Sequence, residues 1–173
     1  MQITLDAATR EKWDSYLALA AKAGACNAMI CGGAVRDTLL GVVVEDVDIF
    51  HEGEVDPDDL PDRLLHVGGY DPDYPLIKRR VVIDDQERLD FLQVESVQAH
   101  LGIGFSADIS EVFYSPKGLV LSPAFLQAVD SRIITFRTHA DKAYIAKIRR
   151  KFGPLGFTFA QQRLVSVKLA EAA

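Results

Sequence analysis

Ala28-Met29-Ile30-Cys31-Gly32-Gly33-Ala34-Val35-Arg36-Asp37-Thr38-Leu39-Leu40-Gly41, running on into Val42-Val43-Val44-Glu45-Asp46-Val47-Asp48-Ile49-Phe50, is the stretch that decides the fold. The apolar run 28 to 31 predicts a short buried strand that enters a Gly32-Gly33 turn. Residues 34 to 40 predict a short helix, with Val35 and Leu39 stacked at i and i+4 and Gly41 closing it. Val42 to Phe50 is β-branched and apolar apart from Glu45, Asp46 and Asp48, so it reads as a strand that carries acids against local propensity. Alternation along a strand sets Asp46 and Asp48 side by side and turns Val47 and Ile49 to the core. Two carboxylates held that close repel, and a divalent cation relieves the repulsion; all-oxygen ligands of this kind suit Mg²⁺ or Mn²⁺. An isolated Asp-x-Asp also occurs at solvated strand ends and in metal-dependent glycosyl transfer. The glycine turn upstream narrows the choice, because glycines let the backbone approach a triphosphate and free N–H groups at a helix start bind its oxygens. Neither a Walker lysine pattern nor a Gly-x-Gly-x-x-Gly spacing is present.

Outward from this centre the chain alternates helices and strands. Residues 7 to 23 predict an amphipathic helix with Trp13, Leu17 and Ala20 on one face, Asp6 as N-cap and Gly24 at the stop. The acidic stretch Glu52 to Asp62 reads as a loop leading into a short helix that ends near His66, and Gly68 to Pro75 as a loop. Leu76 to Ile83 and Leu89 to Val94 read as a hairpin around Asp84-Asp85-Gln86. Glu111 to Tyr114 and Leu119 to Leu121 flank a Ser115-Pro116-Lys117-Gly118 turn, Pro123 to Val129 is a helix and Arg132 to Phe136 a strand. A last helix, His139 to Phe152, opens on a capping pattern at Thr138. The order gives an α/β (α+β) fold, a small mixed sheet flanked by helices.

Composition fits a soluble, unexported protein: 49% apolar and 25% charged residues, no low-complexity tract, and no apolar run near the roughly 20 residues of a membrane span. Cytoplasmic localisation is the expectation. Cys26 and Cys31 form neither a disulfide framework nor a zinc pattern and read as two reduced thiols. The formal charge of −6 argues against broad attraction to nucleic-acid phosphates, while leaving room for a local basic surface.

Gly32-Gly33-Ala34-Val35-Arg36-Asp37, Leu40-Gly41 and Asp46-Val47-Asp48-Ile49 together resemble the signature of the class II nucleotidyltransferases, the bacterial CCA-adding enzymes and poly(A) polymerases, in the polymerase-β-like superfamily. The resemblance implies that Gly32 and Gly33 line a triphosphate site, that Arg36 and Asp37 brace the turn, and that Asp46 and Asp48 hold two metal ions. Leu89-Asp90-Phe91-Leu92-Gln93-Val94 resembles the strand bearing the family's third carboxylate, which would place that role on Asp90. Asp141 to Phe157, with its Leu155-Gly156-Phe157 end, resembles the first neck helix. The implied layout is a nucleotidyltransferase head over 1–137 and a helical segment, the start of a neck, over 138–173. The implied activity is template-independent transfer of a nucleoside monophosphate from ATP or CTP to an RNA 3′ end or tRNA, with Mg²⁺ or Mn²⁺ as cofactor.

Two nucleotide-reading motifs of that family are altered. The Arg-Arg-Asp motif corresponds to Gly104-Phe105-Ser106, and the neck motif Glu-Asp-x-x-Arg to Ala140-Asp141-Lys142-Ala143-Tyr144, leaving base reading to Asp141 and Tyr144. The sequence also stops where the family continues into body and tail domains that hold tRNA. Three basic groups would replace part of that grip: Lys78-Arg79-Arg80, Arg132 with Arg137, and Lys147, Arg149, Arg150 and Lys151 on the last helix, where Ile145, Ile148 and Phe152 face inward. A solvated helix face is the other reading of those charges. His51 reads either as a ligand or as the end of a strand. Two other functions fit the same residues: an idle nucleotide-binding module, and a minimal transferase that modifies a protein partner in a toxin-antitoxin-like pair through an apolar surface at Leu164, Val165 and Val167.

Overall fold

The structure, a computed structural model, describes residues 4–61, 65–68, 77–84, 87–103 and 105–162. The expected loop over 69–75, the tip of the hairpin at 85–86 and the apolar patch at Leu164, Val165 and Val167 lie outside the described residues.

Asp6 opens the first helix as the spacing predicts. Its carboxylate accepts the Thr9 N–H at 2.8 Å, and α1 (Ala7–Lys22) buries Trp13, Leu17 and Ala20. Strand β1 (Cys26–Cys31) runs into the glycine turn, α2 (Gly33–Leu39) follows, and β2 (Asp46–Glu52) carries the paired aspartates. Residues 42–45 are not part of that strand, despite three successive valines. The Val42 N–H is taken by the Asp37 carbonyl at 2.8 Å, Gly41 turns the chain at φ +68, and Val43 is 80% exposed. β-propensity needs a neighbouring strand to act on, and none of the described residues pairs with this segment.

The acidic stretch forms a single 3-10 turn, Pro57–Asp59, capped by Asp56. Where a helix near His66 was expected the chain instead forms β3 (Leu65–Gly68), because pairing with β4 (Ile77–Asp84) satisfies its backbone. β4 and β5 (Arg88–Val94) form the expected antiparallel hairpin. A helix not foreseen, α3 (Val97–Ile103), starts where the Glu52 carboxylate accepts the Val97 N–H at 2.9 Å. Then come β6 (Val112–Ser115), β7 (Gly118–Leu121), α4 (Pro123–Ser131) capped by Ser122, and β8 (Ile133–Phe136). The last helix, α5 (Lys142–Phe152), begins at Lys142 rather than His139, since Asp141 and not Thr138 supplies the cap, accepting the Tyr144 N–H at 2.7 Å. A short strand, β9 (Thr158–Gln161), also not foreseen, pairs in parallel with β8.

Among the described residues seven strands make one mixed sheet in the order β3-β4-β5-β2-β1-β6-β7. A parallel pairing joins β2 to β5 at the centre and sets Asp48 directly beside Asp90. The main core lies on the side to which Val47, Ile49 and Phe91 point, each fully buried, and takes in Trp13, Val35, Phe125, Phe136, Ile148 and Phe152. A smaller core of Cys31, Phe50, Ile77, Leu92, Val94 and Val97 covers part of the opposite face. Among the described residues no helix is long and apolar enough to cross a membrane.

Candidate active site

On β2 the alternation expected from sequence holds. Asp46, Asp48 and Phe50 share one face of the sheet, while Val47, Ile49 and His51 share the other. His51 is therefore a buried strand residue, 1% exposed and turned away from the aspartates, and burial keeps its imidazole pKa low. Asp90 and Leu92 stand beside Asp48 and Phe50 from β5. Across this face opens a pocket of about 320 Å³ whose lining includes Gly32, Gly33, Arg36, Asp46, Asp48, Asp90 and Tyr144, seven of the residues singled out from sequence. Asp37 and Asp141 are not among its lining residues.

The pocket holds excess negative charge at one point. Asp48 has its carboxyl pKa pushed up to about 7, first by burial and then by the charges of Asp46 and Asp90; Lys147 and Arg80 offset this only in part. A divalent cation between Asp46 and Asp48 would remove that penalty, so these two carboxylates fit one. Asp90 is engaged otherwise: Arg80 Nη2 donates to its Oδ2, and Arg88 Nε donates to Oδ1 at 3.0 Å. Among the described residues no three His, Cys, Asp or Glu side chains are gathered to hold a single ion.

Behind the glycine turn lies a buried polar network. Arg36 Nε donates to Asp37 Oδ1 at 2.6 Å and its Nη1 to Ser110 Oγ at 2.9 Å, while Lys151 Nζ donates to Asp37 Oδ2 at 2.8 Å. Arg36 and Asp37 are 3% and 2% exposed. Ser110 Oγ also lies 2.7 Å from the Tyr144 hydroxyl. That hydroxyl is thus engaged inside the protein, and burial raises its pKa. Asp141 caps α5. Both candidates for base reading therefore have structural duties, although the Tyr144 side chain still lines the pocket.

The basic helix departs from the sequence expectation. Ile148 and Phe152 are fully buried as expected, but Lys147 and Lys151 do not point outward as RNA contacts: Lys147 pairs with Glu45 at 3.1 Å, and Lys151 with Glu45 at 3.2 Å as well as with Asp37. On a helix, 144, 147, 148, 151 and 152 form one wide stripe, so the two lysines flank the apolar contact instead of opposing it. Arg149 and Arg150 are exposed, and Arg149 lies over the rings of Phe136 and Phe159. The far wall of the pocket is apolar. His100 stacks on Phe50 with ring centroids 4.3 Å apart, and Phe105 stands beside it. Arg80, His100, Phe105 and Lys147 were not assigned to this site from sequence; the hairpin register was the one signal that could have placed Arg80.

Gly32 adopts φ +62, ψ −109, and a Cβ there would lie 3.3 Å from Phe105 Cε1. Gly32→Ala is expected to cost about 1–3 kcal/mol through backbone strain, seen as a lower urea midpoint at unchanged slope. A midpoint equal to the parent's would show that the turn accepts a side chain without strain. A second and larger cleft, about 820 Å³ between α1 and the β4–β5 hairpin, is lined by Tyr16, Glu87 and Arg88 but holds neither the glycines nor the paired aspartates.

No family model and no curated protein matches the chain. Solved structures do. A tRNA-processing enzyme in its apo form superposes with TM-score 0.63 at 21% identity over 92% of this chain. The Bacillus stearothermophilus CCA-adding enzyme in complex with CTP gives 0.56 at 20% over 90%. The Thermotoga maritima CCA-adding enzyme complexed with tRNA gives 0.56 at 18% over 95%. The matched region is 46%, 42% and 44% of those chains, so the present chain spans less than half their length. Its fold is that of the corresponding part of CCA-adding enzymes.

Proposed function

We propose that this chain is a metal-dependent nucleotidyltransferase that moves a nucleoside monophosphate from a triphosphate, ATP or CTP, to the hydroxyl of an RNA 3′ end. The observation that carries this reading is the meeting, in one pocket, of the Gly32-Gly33 turn with the facing carboxylates Asp46 and Asp48. The fold shared with CCA-adding enzymes supports it, two of them solved with CTP or tRNA.

Asp46 and Asp48 would hold Mg²⁺ or Mn²⁺. Bound there, such an ion lowers the pKa of an acceptor hydroxyl and offsets charge on the triphosphate. The remaining work falls to the protein. The glycine turn keeps side chains away from the phosphates, and the buried Arg36 to Asp37 pair fixes that turn against α5. Lys147 and Arg80 supply positive charge at the pocket where phosphate oxygens and the departing pyrophosphate would sit. Preset electrostatics and positioning of this kind are the usual sources of rate in phosphoryl-type transfer. Arg149 and Arg150, exposed on α5, offer cations to RNA phosphates.

The test supplies purified protein with each α-labelled triphosphate, Mn²⁺ or Mg²⁺, and total RNA or a cell lysate. Label is expected in RNA, from one or two triphosphates, with none for Asp46→Asn. Label in protein alone would replace this reading with the partner-modifying one, and triphosphate binding with no transfer would leave an idle module.

A further inference from the structure

Asp90 is held from two sides, and the two arginines that hold it are differently placed. Arg88 reaches it from the same strand and lines the neighbouring cleft, outside the pocket. Arg80 comes from β4, lines the pocket itself, and keeps 29% of its side chain exposed, against 6% for Asp90. Around the site, Asp46, Asp48 and Asp90 face Arg80, Arg88 and Lys147, three carboxylates against three cations. A lone divalent cation thus enters a site whose negative charge is already offset in part. A cation arriving with a triphosphate brings anions that can take the arginine.

We propose that Arg80 is a triphosphate-responsive cover on Asp90, pairing with the carboxylate until phosphate oxygens draw the guanidinium away and leave Asp90 able to join Asp46 and Asp48 around a cation. This rests on the nucleotidyltransferase reading above. A guanidinium exchanges one oxyanion partner for another without loss of charge, and its planar fork suits a phosphate as well as a carboxylate. Arg88 stays as the second partner of Asp90, so the carboxylate is never left buried and unpaired. The consequence is coupling: nucleotide and metal each bind better in the presence of the other, through Arg80.

Calorimetry tests this with Mn²⁺, with an α,β-methylene triphosphate that cannot be cleaved at the reacting position, and with each in the presence of the other. The parent is expected to show mutual tightening of about tenfold or more. In Arg80→Met, Mn²⁺ alone should bind more tightly, the analogue alone more weakly, and the mutual tightening should shrink towards none. Arg80→Lys, which keeps the charge without the fork, should fall between, and Arg79→Met, whose arginine pairs with Glu54 instead, should match the parent. Unchanged coupling in both Arg80 variants overturns the inference and leaves the transferase reading standing. A parent that binds neither ligand removes both.

Discussion

Replacing Asp48 by asparagine is expected to abolish Mn²⁺ binding in the pocket, to reduce transfer on the order of a thousandfold or more, and yet to make the cation-free protein more stable at neutral pH. The first two effects follow if Asp46 and Asp48 are the ligands. The third follows from the electrostatics of the carboxylates themselves. In the fold the Asp48 carboxyl titrates at about 7 against an ordinary 3.8, because burial and two neighbouring carboxylates oppose its charge. Between those values the folded protein binds more protons than the unfolded chain, so stability falls as pH rises from about 4 to about 7 and stays lowered above. Three units correspond to about 4 kcal/mol. Partial exposure and adjustable neighbouring cations reduce that, and about 1–2 kcal/mol is the expected gain. Urea midpoints should coincide for parent and Asp48→Asn near pH 4 and diverge in favour of the variant by pH 7.5. A variant less stable than the parent throughout would mean that the carboxylate is held by favourable contacts, and the case for a cation there would fail.

What the sequence made legible follows the strength of each local signal. The glycine turn, the acid-bearing strand and the N-terminal helix were readable because a single residue fixes each: Gly32 at positive φ, Asp48 out of step with its β-branched neighbours, and Asp6 as a cap. The 65–68 strand was not readable. Its four residues carry no pattern of their own and are strand only because β4 lies alongside. The same holds for β9, which exists through pairing with β8 across more than twenty residues. Residues 42–45 err in the other direction, with strong β-propensity and no strand partner among the described residues.

The candidate site divides in the same way. Asp46, Asp48 and Asp90 could be named from strand periodicity and resemblance, and the parallel register of β2 and β5 brings them together. Of the cations around them, Arg80 could be placed only through the hairpin register, and Lys147, on a helix distant in sequence, has no periodic signature that ties it to the aspartates. Lys147 and Lys151 looked like part of a solvated face, and the missing information was that Glu45 and Asp37 would lie opposite them. The role of Tyr144 in base reading rests on resemblance alone; its hydroxyl contact with Ser110 depends on a 3-10 turn, Asp108–Ser110, that the sequence does not announce.

That buried network leads to the largest stability effect expected for this chain. Asp37→Ala should cost about 3–5 kcal/mol, the usual range for removing one partner of a buried ion pair. Arg36 would keep its bond to Ser110 and its position over the Phe152 ring, 5.0 Å from the centroid, but lose the counter-charge that makes its burial tolerable. Lys151 would retain only Glu45, which is half exposed. Against a typical total of about 5–15 kcal/mol, a loss of that size would unfold a measurable fraction at growth temperature. The cost lies in the orphaned charge more than in the lost bond, so the double change Arg36→Met with Asp37→Leu should recover much of it. Urea unfolding of the parent, Arg36→Met, Asp37→Leu and the double variant closes the cycle. A loss below about 1 kcal/mol for Asp37→Ala, or a double variant as unstable as the summed singles, would show that Arg36 finds solvent or another anion, and that the turn is held by packing alone.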